Sequence, residues 1–298
     1  MNIGCHVSIA GGIDKAPKLA HELGCEAMQI FTRSPQGGKV PELTEKTIKA
    51  FKENCEKYSI KNVYAHTPYF INLASANNKI YYGSISAIKT ELERASALGA
   101  KYVMTHLGSA RELGEKESFK KTVEGLEKIL DDYKGEAKLL IENSAGAGKI
   151  IGADFEQIGE ILSSTPDFEA RSPVSKLAGI CLDTQHSFAS GYDWKNNFEN
   201  NIKILKKYIG LENIKLIHAN DSAVEAGSRK DRHAHIGNGP PALTSQGDVG
   251  RGKIGIGGFE KLVQFAKEND IDMICETDYP EVMEDIKILK EIRKKYAK

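Results

Sequence analysis

The sequence predicts an α/β fold in which eight parallel strands close into a (β/α)8 barrel, and two observations favour it. Short apolar runs rich in β-branched residues alternate with amphipathic helical stretches, eight times along the 298 residues. Such alternation implies parallel strands joined by right-handed helical crossovers. No GxGxxG or GxxxxGKS/T motif follows the first run, so an open nucleotide-binding sheet is disfavoured. We therefore expect a single TIM barrel domain over residues 1–298.

The predicted strands are short segments bounded by glycine or polar residues. In chain order they are Ile3 to Ser8, Glu26 to Phe31, Asn62 to Thr67, Tyr102 to Leu107, Lys138 to Asn143, Ala178 to Thr184, Lys215 to Asn220 and Asp272 to Thr277. Each carries the apolar and β-branched residues that predict a strand.

The predicted helices lie between the strands and have recognisable ends. They are Asp14 to Leu23, Thr44 to Tyr58, Lys79 to Leu98, Glu117 to Tyr133, Asp154 to Leu162, Trp194 to Ile209, Phe259 to Glu268 and Glu281 to Tyr296. Thr44 is a residue type that caps helix N-termini, and Gly24, Gly99 and Gly210 follow helices where glycine is favoured. The helix count equals the strand count, as the barrel requires.

One segment breaks the alternation. Residues 219–258 are rich in Gly, Ser, Asp, Arg, His and Pro and show no helical periodicity. Loops longer than about 15 residues are uncommon in compact domains and are usually functional or disordered. This loop follows the seventh strand, and barrel enzymes carry their active sites on the loops that follow their strands.

The composition excludes several classes of protein. Hydrophobic residues make up 40% and charged residues 28% of the chain, as in ordinary globular proteins. The 41 Lys and Arg residues balance the 41 Asp and Glu residues, so affinity for a polyanion must come from local clusters of positive charge. No apolar run reaches the roughly 18 residues of a membrane span, and the N-terminus does not read as a signal peptide. The five cysteines form no CxxC motif, so we expect reduced core thiols in a cytoplasmic protein.

Six consecutive predicted strands, the third to the eighth, end in an imidazole or a carboxylate. These residues are His66, His106, Glu142, Asp183, His218 and Glu276. A single polar residue at a strand end is usually hydrogen-bonded to backbone, but six in succession would converge on one face of a barrel. Buried carboxylates that face one another are costly unless cations neutralise them. The pattern therefore predicts a metal site.

Two short motifs add ligands of the same kind. The sequence DTQH at 183–186 adds His186, and DRH at 231–233 adds Asp231 and His233. The resulting nine residues are too many for one ion but suit two or three. Imidazole and carboxylate ligands without thiolates favour Zn²⁺, with Mn²⁺ and Fe²⁺ as alternatives.

Three further histidines are predicted to have other roles. His6, in the first strand, is expected to support a ligand rather than to bind an ion itself. His21, on the first helix, is expected at the surface or as a hydrogen-bonded core residue. His235 is an alternative to His233 as a ligand.

Together these motifs resemble the endonuclease IV family of apurinic/apyrimidinic endonucleases. The matching stretches are HVSIAGG, HTPYFINLA, THLGS, LLIENSAGAG, CLDTQHSFASGYD, HAND, GSRKDRHAHIG and CETD, which occur in the family's order over nearly the full chain. The resemblance implies a three-zinc barrel that cleaves double-stranded DNA on the 5′ side of an abasic site. It implies products with a 3′-hydroxyl and a 5′-deoxyribose phosphate, and trimming of blocked 3′ ends as a further activity.

The same resemblance implies a role for each ligand. His66 and His106 would hold the first ion, and Glu142 would bridge it to the second as the catalytic carboxylate. The second ion would be completed by Asp183, His218 and Glu276, and the third would be held by His186, Asp231 and His233. A hydroxide between the first two ions would attack phosphorus while the third neutralises charge on the departing 3′ oxygen.

The resemblance also implies which residues contact DNA. After the second strand, where family members often carry an Arg or a bulky wedge, this chain departs from the pattern with Gln36. Tyr69, after the third strand, matches a DNA-contacting aromatic residue of the family. We also expect Arg33, Arg229 and Arg232 to bind DNA.

A second departure from the family pattern is an insertion. Residues 240–252 stand between the segment Ile236-Gly237-Asn238-Gly239 and the segment Lys253-Ile254-Gly255, where the family passes directly into the last barrel unit. The inserted segment, with Asp248, Arg251 and the adjoining Lys253, is expected to extend or obstruct the DNA groove, or else to decorate the surface.

Two other functions remain open from the sequence. A metal-dependent sugar isomerase or epimerase would also place Glu, Asp and His at strand ends, but usually needs only one or two ions. A non-catalytic damage-binding protein would use the same face only to hold bent DNA. The third ligand group, His186 with Asp231 and His233, favours the nuclease. The expected partner is double-stranded DNA with abasic sites, and we expect neither a membrane nor an obligate protein partner.

Overall fold

The strands close into an eight-stranded parallel barrel, which confirms the predicted fold class. The computed structural model describes residues 1–166, 168, 175–237, 242–244, 247–249 and 252–296. The barrel strands are β1 (Ile3–His6), β2 (Ala27–Phe31), β3 (Asn62–His66), β4 (Tyr102–Thr105), β5 (Lys138–Glu142), β6 (Leu177–Asp183), β7 (Ile214–His218) and β8 (Asp272–Cys275). Each strand pairs with its neighbour in sequence, and β1 pairs with β8, placing Cys5 opposite Cys275.

Helices connect the strands on the outside of the barrel. Those in the described part of the chain are α1 (Ala16–Glu22), α2 (Glu45–Lys57), α3 (Asn78–Leu98), α4 (Glu115–Leu130), α5 (Phe155–Ser164), α6 (Thr184–Ser190), α7 (Phe198–Tyr208), α8 (Gly255–Glu268) and α9 (Val282–Lys295). Thr44 caps α2 as predicted, since its hydroxyl accepts a hydrogen bond from the backbone N–H of Thr47. Gly99 ends α3 with φ of 78°, a left-handed conformation that favours glycine. Among these helices, none is long and apolar enough to cross a membrane.

The helices that follow β6 differ from the prediction. The sequence pattern does not predict α6, which begins directly after β6 because the carboxylate of Asp183 accepts a hydrogen bond from the backbone N–H of His186 at 2.6 Å. The next helix begins at Phe198 and not at Trp194. The carboxylate of Asp193 accepts hydrogen bonds from two following backbone N–H groups and so forms a turn in place of the first helical turn.

Two apolar layers pack on the two faces of the strands. The barrel interior is filled by Ala27, Tyr64, Met104, Leu140, Cys181, Leu216 and Ile274. A larger cluster fills the space between the strands and the helices. All five cysteines are free thiols, and all except Cys55 are buried, as the sequence predicts. The filled interior makes the barrel a packed scaffold for the groups at its ends.

The long loop after β7 is fixed at its base by Asp221. This buried carboxylate accepts hydrogen bonds from the backbone N–H groups of Ser222, Gly237, Ile254 and Gly255. The segment that carries the insertion therefore leaves the barrel and returns to it at one anchor. Two short antiparallel ribbons lie in the loop, Asp221–Ser222 with His233–Ala234 and Ala242–Thr244 with Gly247–Val249.

The effect of the inserted residues 240–252 on the DNA groove stays a prediction. Arg251 and the side chain of Asp248 lie outside the described residues. Lys253, which follows them, pairs with Glu225 at 2.7 Å on the protein surface. Helix α8 begins at Gly255, earlier than the predicted Phe259, because the anchored chain turns directly into it.

Candidate metal centre

The nine predicted ligands lie together at the carboxyl ends of the strands. Eight of them form three groups in which one ligand atom from each residue lies within 4.8 Å of those from the others: His66, His106 and Glu142; Glu142, Asp183, His218 and Glu276; and Asp183, His186 and His233. Asp231 adjoins the last group. Four ligands are the last residues of β3, β5, β6 and β7, and two, His106 and Glu276, directly follow β4 and β8. His186 on α6 and the loop residues Asp231 and His233 complete the set at the same end of the barrel.

Glu142 lies between the first two groups. Its Oε2 atom is 2.8 Å from Nε2 of His66 and 3.6 Å from Nε2 of His106. Its Oε1 atom is 3.1 Å from Nδ1 of His218 and 3.4 Å from Nδ1 of His186. The two oxygens of one buried carboxylate therefore face different sets of imidazoles, as a bridging ligand requires.

The middle group contains three carboxylates around one imidazole. Nδ1 of His218 is 3.1 Å from Glu142, 3.2 Å from Oε2 of Glu276 and 3.9 Å from Oδ2 of Asp183. The amide of Asn220 donates hydrogen bonds to both Asp183 and Glu276. Burial raises the pKa of Asp183. A single shared imidazole and the amides of Asn220 and Gln29 leave this negative charge incompletely compensated.

Asp231 lies on the solvent side of the third group. Its carboxylate is 3.3 Å from Nε2 of His186 and 3.5 Å from Nε2 of His233, and its side chain is 58% exposed. Asp183 approaches the same imidazole of His233 from below, at 3.8 Å. The structure thus brings a fourth residue, Asp183, to a group for which the sequence predicts three.

Hydrogen bonds fix the ring orientation of three histidines. Nδ1 of His66 donates to the carbonyl oxygen of Thr67 at 2.7 Å, and Nδ1 of His186 donates to that of Asn143 at 3.0 Å. For His218 the opposite atom, Nε2, donates to the amide oxygen of Gln29 at 2.7 Å. In each ring the remaining nitrogen faces the carboxylates, the arrangement typical of metal-ligating histidines.

The cluster perturbs the protonation of its own members. Burial opposes the charged form of His186, yet the nearby carboxylates of Asp183 and Asp231 raise its pKa well above the usual value. Burial likewise favours a neutral Glu142, but the surrounding histidines His106, His218 and His66 lower its pKa well below the usual value. In the absence of a cation, protons on imidazoles therefore neutralise the carboxylates. A bound cation would replace those protons.

The residues present fit divalent cations. Nδ1 of His106 is buried and has no hydrogen-bond partner among the described residues, which is costly for a polar atom. The donor set of imidazoles and carboxylates suits zinc, manganese or iron better than magnesium or calcium. The closely spaced carboxylates and imidazoles indicate groups arranged for an ion.

The cluster opens into a cavity of about 550 Å³ with aromatic walls. Phe31 lines it, and the ring of Tyr69 packs edge-on against Phe31 at 5.3 Å. Tyr69 and Tyr279 also line the cavity and are 70% and 71% exposed. These exposed rings are available to contact a ligand that enters the cavity.

The predicted DNA contacts divide into exposed and buried residues. Gln36, Tyr69, Arg229 and Arg232 are exposed. Arg33 is not, and the expected contact requires correction: its Nε atom pairs with Oε1 of the buried Glu91 at 3.0 Å. The Arg33 guanidinium also lies 5.5 Å from the centre of the Phe70 ring. This side chain holds the loop after β2 and is not free to bind a phosphate.

The other histidines have separate environments. His6 lines the cavity and accepts a hydrogen bond from the amide of Gln29 at 3.0 Å, a supporting position. His21 is exposed on α1. His235 lies away from the described ligand groups, because its Nδ1 donates to the carboxylate of Asp285 at 2.7 Å. As an alternative to His233 it is therefore wrong.

Two residues of the site were not singled out from the sequence. Gln29 is fully buried in β2 and contacts His6, His218 and Glu276. The available signal was an amide within the apolar run AMQIF, since a buried polar group needs partners. Tyr279 lines the cavity, but nothing in the local sequence distinguishes it from a surface tyrosine.

Known protein families, sequences and solved structures were compared with this chain, and they match its barrel fold. A family model described as xylose isomerase-like TIM barrel matches residues 17–294. The chain is 36% identical over 297 residues to a probable endonuclease 4 of Nitrosopumilus maritimus, covering 98% of this chain and 99% of that protein. The crystal structure of endonuclease IV from Thermus thermophilus matches with a TM-score of 0.82 at 30% identity, covering 99% and 100% of the two chains. A D-tagatose 3-epimerase-like protein matches with a TM-score of 0.69 at 22% identity, covering 99% and 97%, a likeness of fold alone.

Proposed function

Because the chain belongs to the endonuclease IV family of xylose isomerase-like TIM barrels, we propose that it is a DNA repair endonuclease that hydrolyses the phosphodiester bond 5′ to an abasic site. The reaction leaves a 3′-hydroxyl and a 5′-deoxyribose phosphate, and blocked 3′ ends are a further substrate. The observation that carries the proposal is the position of Glu142, whose two oxygens face two different ligand groups.

We propose three zinc ions per chain. The first is held by His66, His106 and Glu142, the second by Glu142, Asp183, His218 and Glu276, and the third by His186, Asp231 and His233. Asp231 is assigned to the third ion because it is close to both imidazoles and approaches them from the solvent side. Asp183 then remains with the middle ion. Zinc is favoured because five of the nine ligands are histidines.

The chain's own residues prepare the site for a phosphodiester. When bound, the cations supply Lewis-acid activation of water and of the phosphate. Glu142 keeps the first two ligand groups in fixed relation, and the backbone carbonyls behind His66 and His186 prevent their rings from turning. The aromatic rings of Phe31 and Tyr69 line the cavity and offer an apolar surface to an inserted sugar.

Selectivity for abasic sites follows from how the cavity is reached. Glu142 is buried beneath the cavity, so the target sugar must leave the DNA helix before its phosphate can approach that carboxylate. Turning a nucleotide out of the helix costs base stacking, and an abasic nucleotide has no base to unstack. Gln36, Tyr69, Arg229 and Arg232 are exposed side chains proposed to hold the flanking DNA, with affinity that falls as salt rises.

The isomerase or epimerase alternative is less well supported. The similarity to the epimerase-like protein is below 25% identity and extends to the fold alone. A third ligand group that contains His186 and His233 exceeds what a one- or two-ion sugar enzyme usually needs.

The experiment that tests the proposal is a nicking assay with purified protein. A labelled duplex that carries one tetrahydrofuran abasic analogue is incubated with zinc-loaded protein, and the product ends are mapped on a sequencing gel. We expect one nick on the 5′ side, sensitive to a chelator and restored by added zinc. An identical duplex with a normal nucleotide is the control substrate.

Elemental analysis of the same preparation separates the possible failures. Three zinc ions with an intact abasic duplex would refute the nuclease. One or two ions together with turnover of a ketose would support the isomerase. Binding of the abasic duplex by zinc-loaded protein without cleavage would support the non-catalytic damage-binding protein.

A further inference from the structure

We propose that Gln29 is a positioning residue for the middle metal site, where its amide selects the ligand nitrogen of His218 and orients Glu276. Its side chain is fully buried in β2, which otherwise carries apolar residues. The inference rests on the proposed function, since it concerns the ion that Glu142 would share with the first site.

All three hydrogen bonds of the Gln29 amide go to residues of the site. The amide nitrogen donates to Oε1 of Glu276 at 2.6 Å and to Nδ1 of His6 at 3.0 Å. The amide oxygen accepts from Nε2 of His218 at 2.7 Å. An NH₂ group has two hydrogens, so both donors of this amide are used.

Only one orientation of this amide is compatible with its neighbours. Turning it over would place the amide oxygen beside the carboxylate of Glu276, and two acceptors would then face each other at 2.6 Å. With the observed orientation, the atom that faces His218 is an acceptor. Nε2 of His218 must therefore carry a hydrogen.

The proton on Nε2 of His218 decides which ring nitrogen is available to bind the ion. With Nε2 protonated in the neutral ring, Nδ1 keeps its lone pair and points toward Glu142 at 3.1 Å and Glu276 at 3.2 Å. The same amide holds Oε1 of Glu276, which leaves Oε2 to face His218 and Asn220. One side chain thus orients two ligands of the same ion.

His218 differs from His66 and His186 in the group that fixes its ring. His66 and His186 donate to backbone carbonyl oxygens, which no side-chain substitution removes. His218 donates to a side chain, so one substitution can release its ring. We therefore expect the middle site to be the one whose affinity can be weakened without altering any ligand.

The test compares Gln29→Met and Gln29→Glu with wild type. Methionine has a similar length and volume but makes no hydrogen bond of this kind, whereas glutamate keeps the acceptor for His218 and places a second carboxylate beside Glu276. Gln157→Met is the matched control, because Gln157 also bonds through its amide, to the backbone N–H of Gly152, but lies on α5. Circular dichroism establishes that each variant is folded.

Metal affinity is measured by competition with a chromogenic chelator, and coordination by the visible spectrum of the cobalt-substituted protein. We expect one of the three ions to bind about 10- to 100-fold more weakly in Gln29→Met, as for other residues that support a ligand. Gln29→Glu should also bind that ion more weakly than wild type, because its carboxylate cannot donate to Glu276 and repels it. The cobalt spectrum should change in both, and kcat should fall with little change in KM.

The results separate this inference from the proposed function. Wild-type metal affinity and an unchanged cobalt spectrum in folded Gln29→Met would overturn the positioning role while leaving the nuclease intact. An equal loss in Gln157→Met would also overturn it, since the effect would then be general. A wild-type protein that takes up no metal, or fails to nick the abasic duplex, would instead refute the proposed function.

Discussion

The two ends of the barrel both bury carboxylates, but they differ in what neutralises them. At the amino end, Asp272 accepts hydrogen bonds from the backbone and amide of Asn2, the amide of Asn62 and the hydroxyl of Tyr64. At the carboxyl end, Glu142 faces imidazoles and other carboxylates that are themselves incompletely paired. Around Asp272 the amino end has a closed network of neutral donors, whereas the groups around Glu142 at the carboxyl end are arranged so that they could hold cations.

Because of this difference, the amino end contributes to the stability of the fold and the carboxyl end to the binding of cations. The Asp272 network joins residues of β3 and β8 and the segment before β1, so it stabilises the closed barrel whether or not metal is present. In the carboxyl-end cluster the carboxylates are neutralised by protons on the imidazoles, and a cation can displace those protons. Substitutions at the two ends should therefore have separable effects.

The largest effect is expected from Glu142→Gln at the carboxyl end. The amide keeps the shape of the side chain but loses the negative charge that faces two ligand groups. We expect the nicking rate to fall on the order of 10³-fold or more, the scale seen when a preorganised electrostatic group is removed. The assay is single-turnover cleavage of the abasic duplex, with metal content measured in parallel. Cleavage within tenfold of wild type would contradict the bridging role.

The converse substitution is Asp272→Ala at the amino end. It leaves the amides of Asn2 and Asn62 and the hydroxyl of Tyr64 without their buried acceptor. We expect the free energy of unfolding to fall by about 3 kcal/mol, while the zinc content of the folded protein stays the same. Urea denaturation and elemental analysis measure the two quantities. Loss of zinc from folded Asp272→Ala would show that the two ends are coupled.

A third test measures how the affinity of the carboxyl-end cluster for zinc depends on pH. The carboxylates around His186 raise its pKa above the usual 6.5, so in metal-free protein the ring still holds a proton above pH 6.5. Zinc must displace that proton, and its apparent affinity should rise with pH by about tenfold per unit for each proton displaced, until the raised pKa is passed. Competition titrations from pH 6 upward measure this slope. A flat profile would indicate that no proton is released.

The barrel and the types of its ligands could be predicted because both depend on short stretches of sequence. Strand ends in a parallel barrel share one rim, so the residue type at each strand end is enough to predict a metal-ligand cluster. What escaped prediction depends on distant contacts. Gln29 acts through residues 189 and 247 positions away in the chain.

The prediction that Arg33 binds DNA was wrong because it too depends on a contact with a distant part of the chain. A loop arginine is ordinarily exposed, and only the approach of α3 shows that Glu91 buries Arg33 in an ion pair. The beginning of α6 was missed because a predicted ligand, Asp183, also caps that helix. One carboxylate serving both purposes is visible only in three dimensions.

The smallest effect is expected at Glu26, which links the amino end to α9. Burial opposes its charge, but hydrogen bonds from Arg293 lower its pKa to about 2. Because this folded-state pKa lies below the usual 4.5, the pair stabilises the protein above pH 4.5, and that stabilisation is lost as pH falls from 4.5 toward 2. The pair is partly exposed, so Glu26→Gln should cost less than about 1 kcal/mol at pH 7.

Urea denaturation at pH 7 and at pH 3 measures how the difference in the free energy of unfolding between Glu26→Gln and wild type changes with pH. Glu260→Gln is the matched control, because Glu260 pairs with Lys295 of α9 at the open surface. Exposed pairs of this kind contribute little, so the control should match wild type at both values of pH. An equal loss of stability in Glu26→Gln at pH 7 and pH 3 would mean that packing, and not charge, fixes α9 against the amino end.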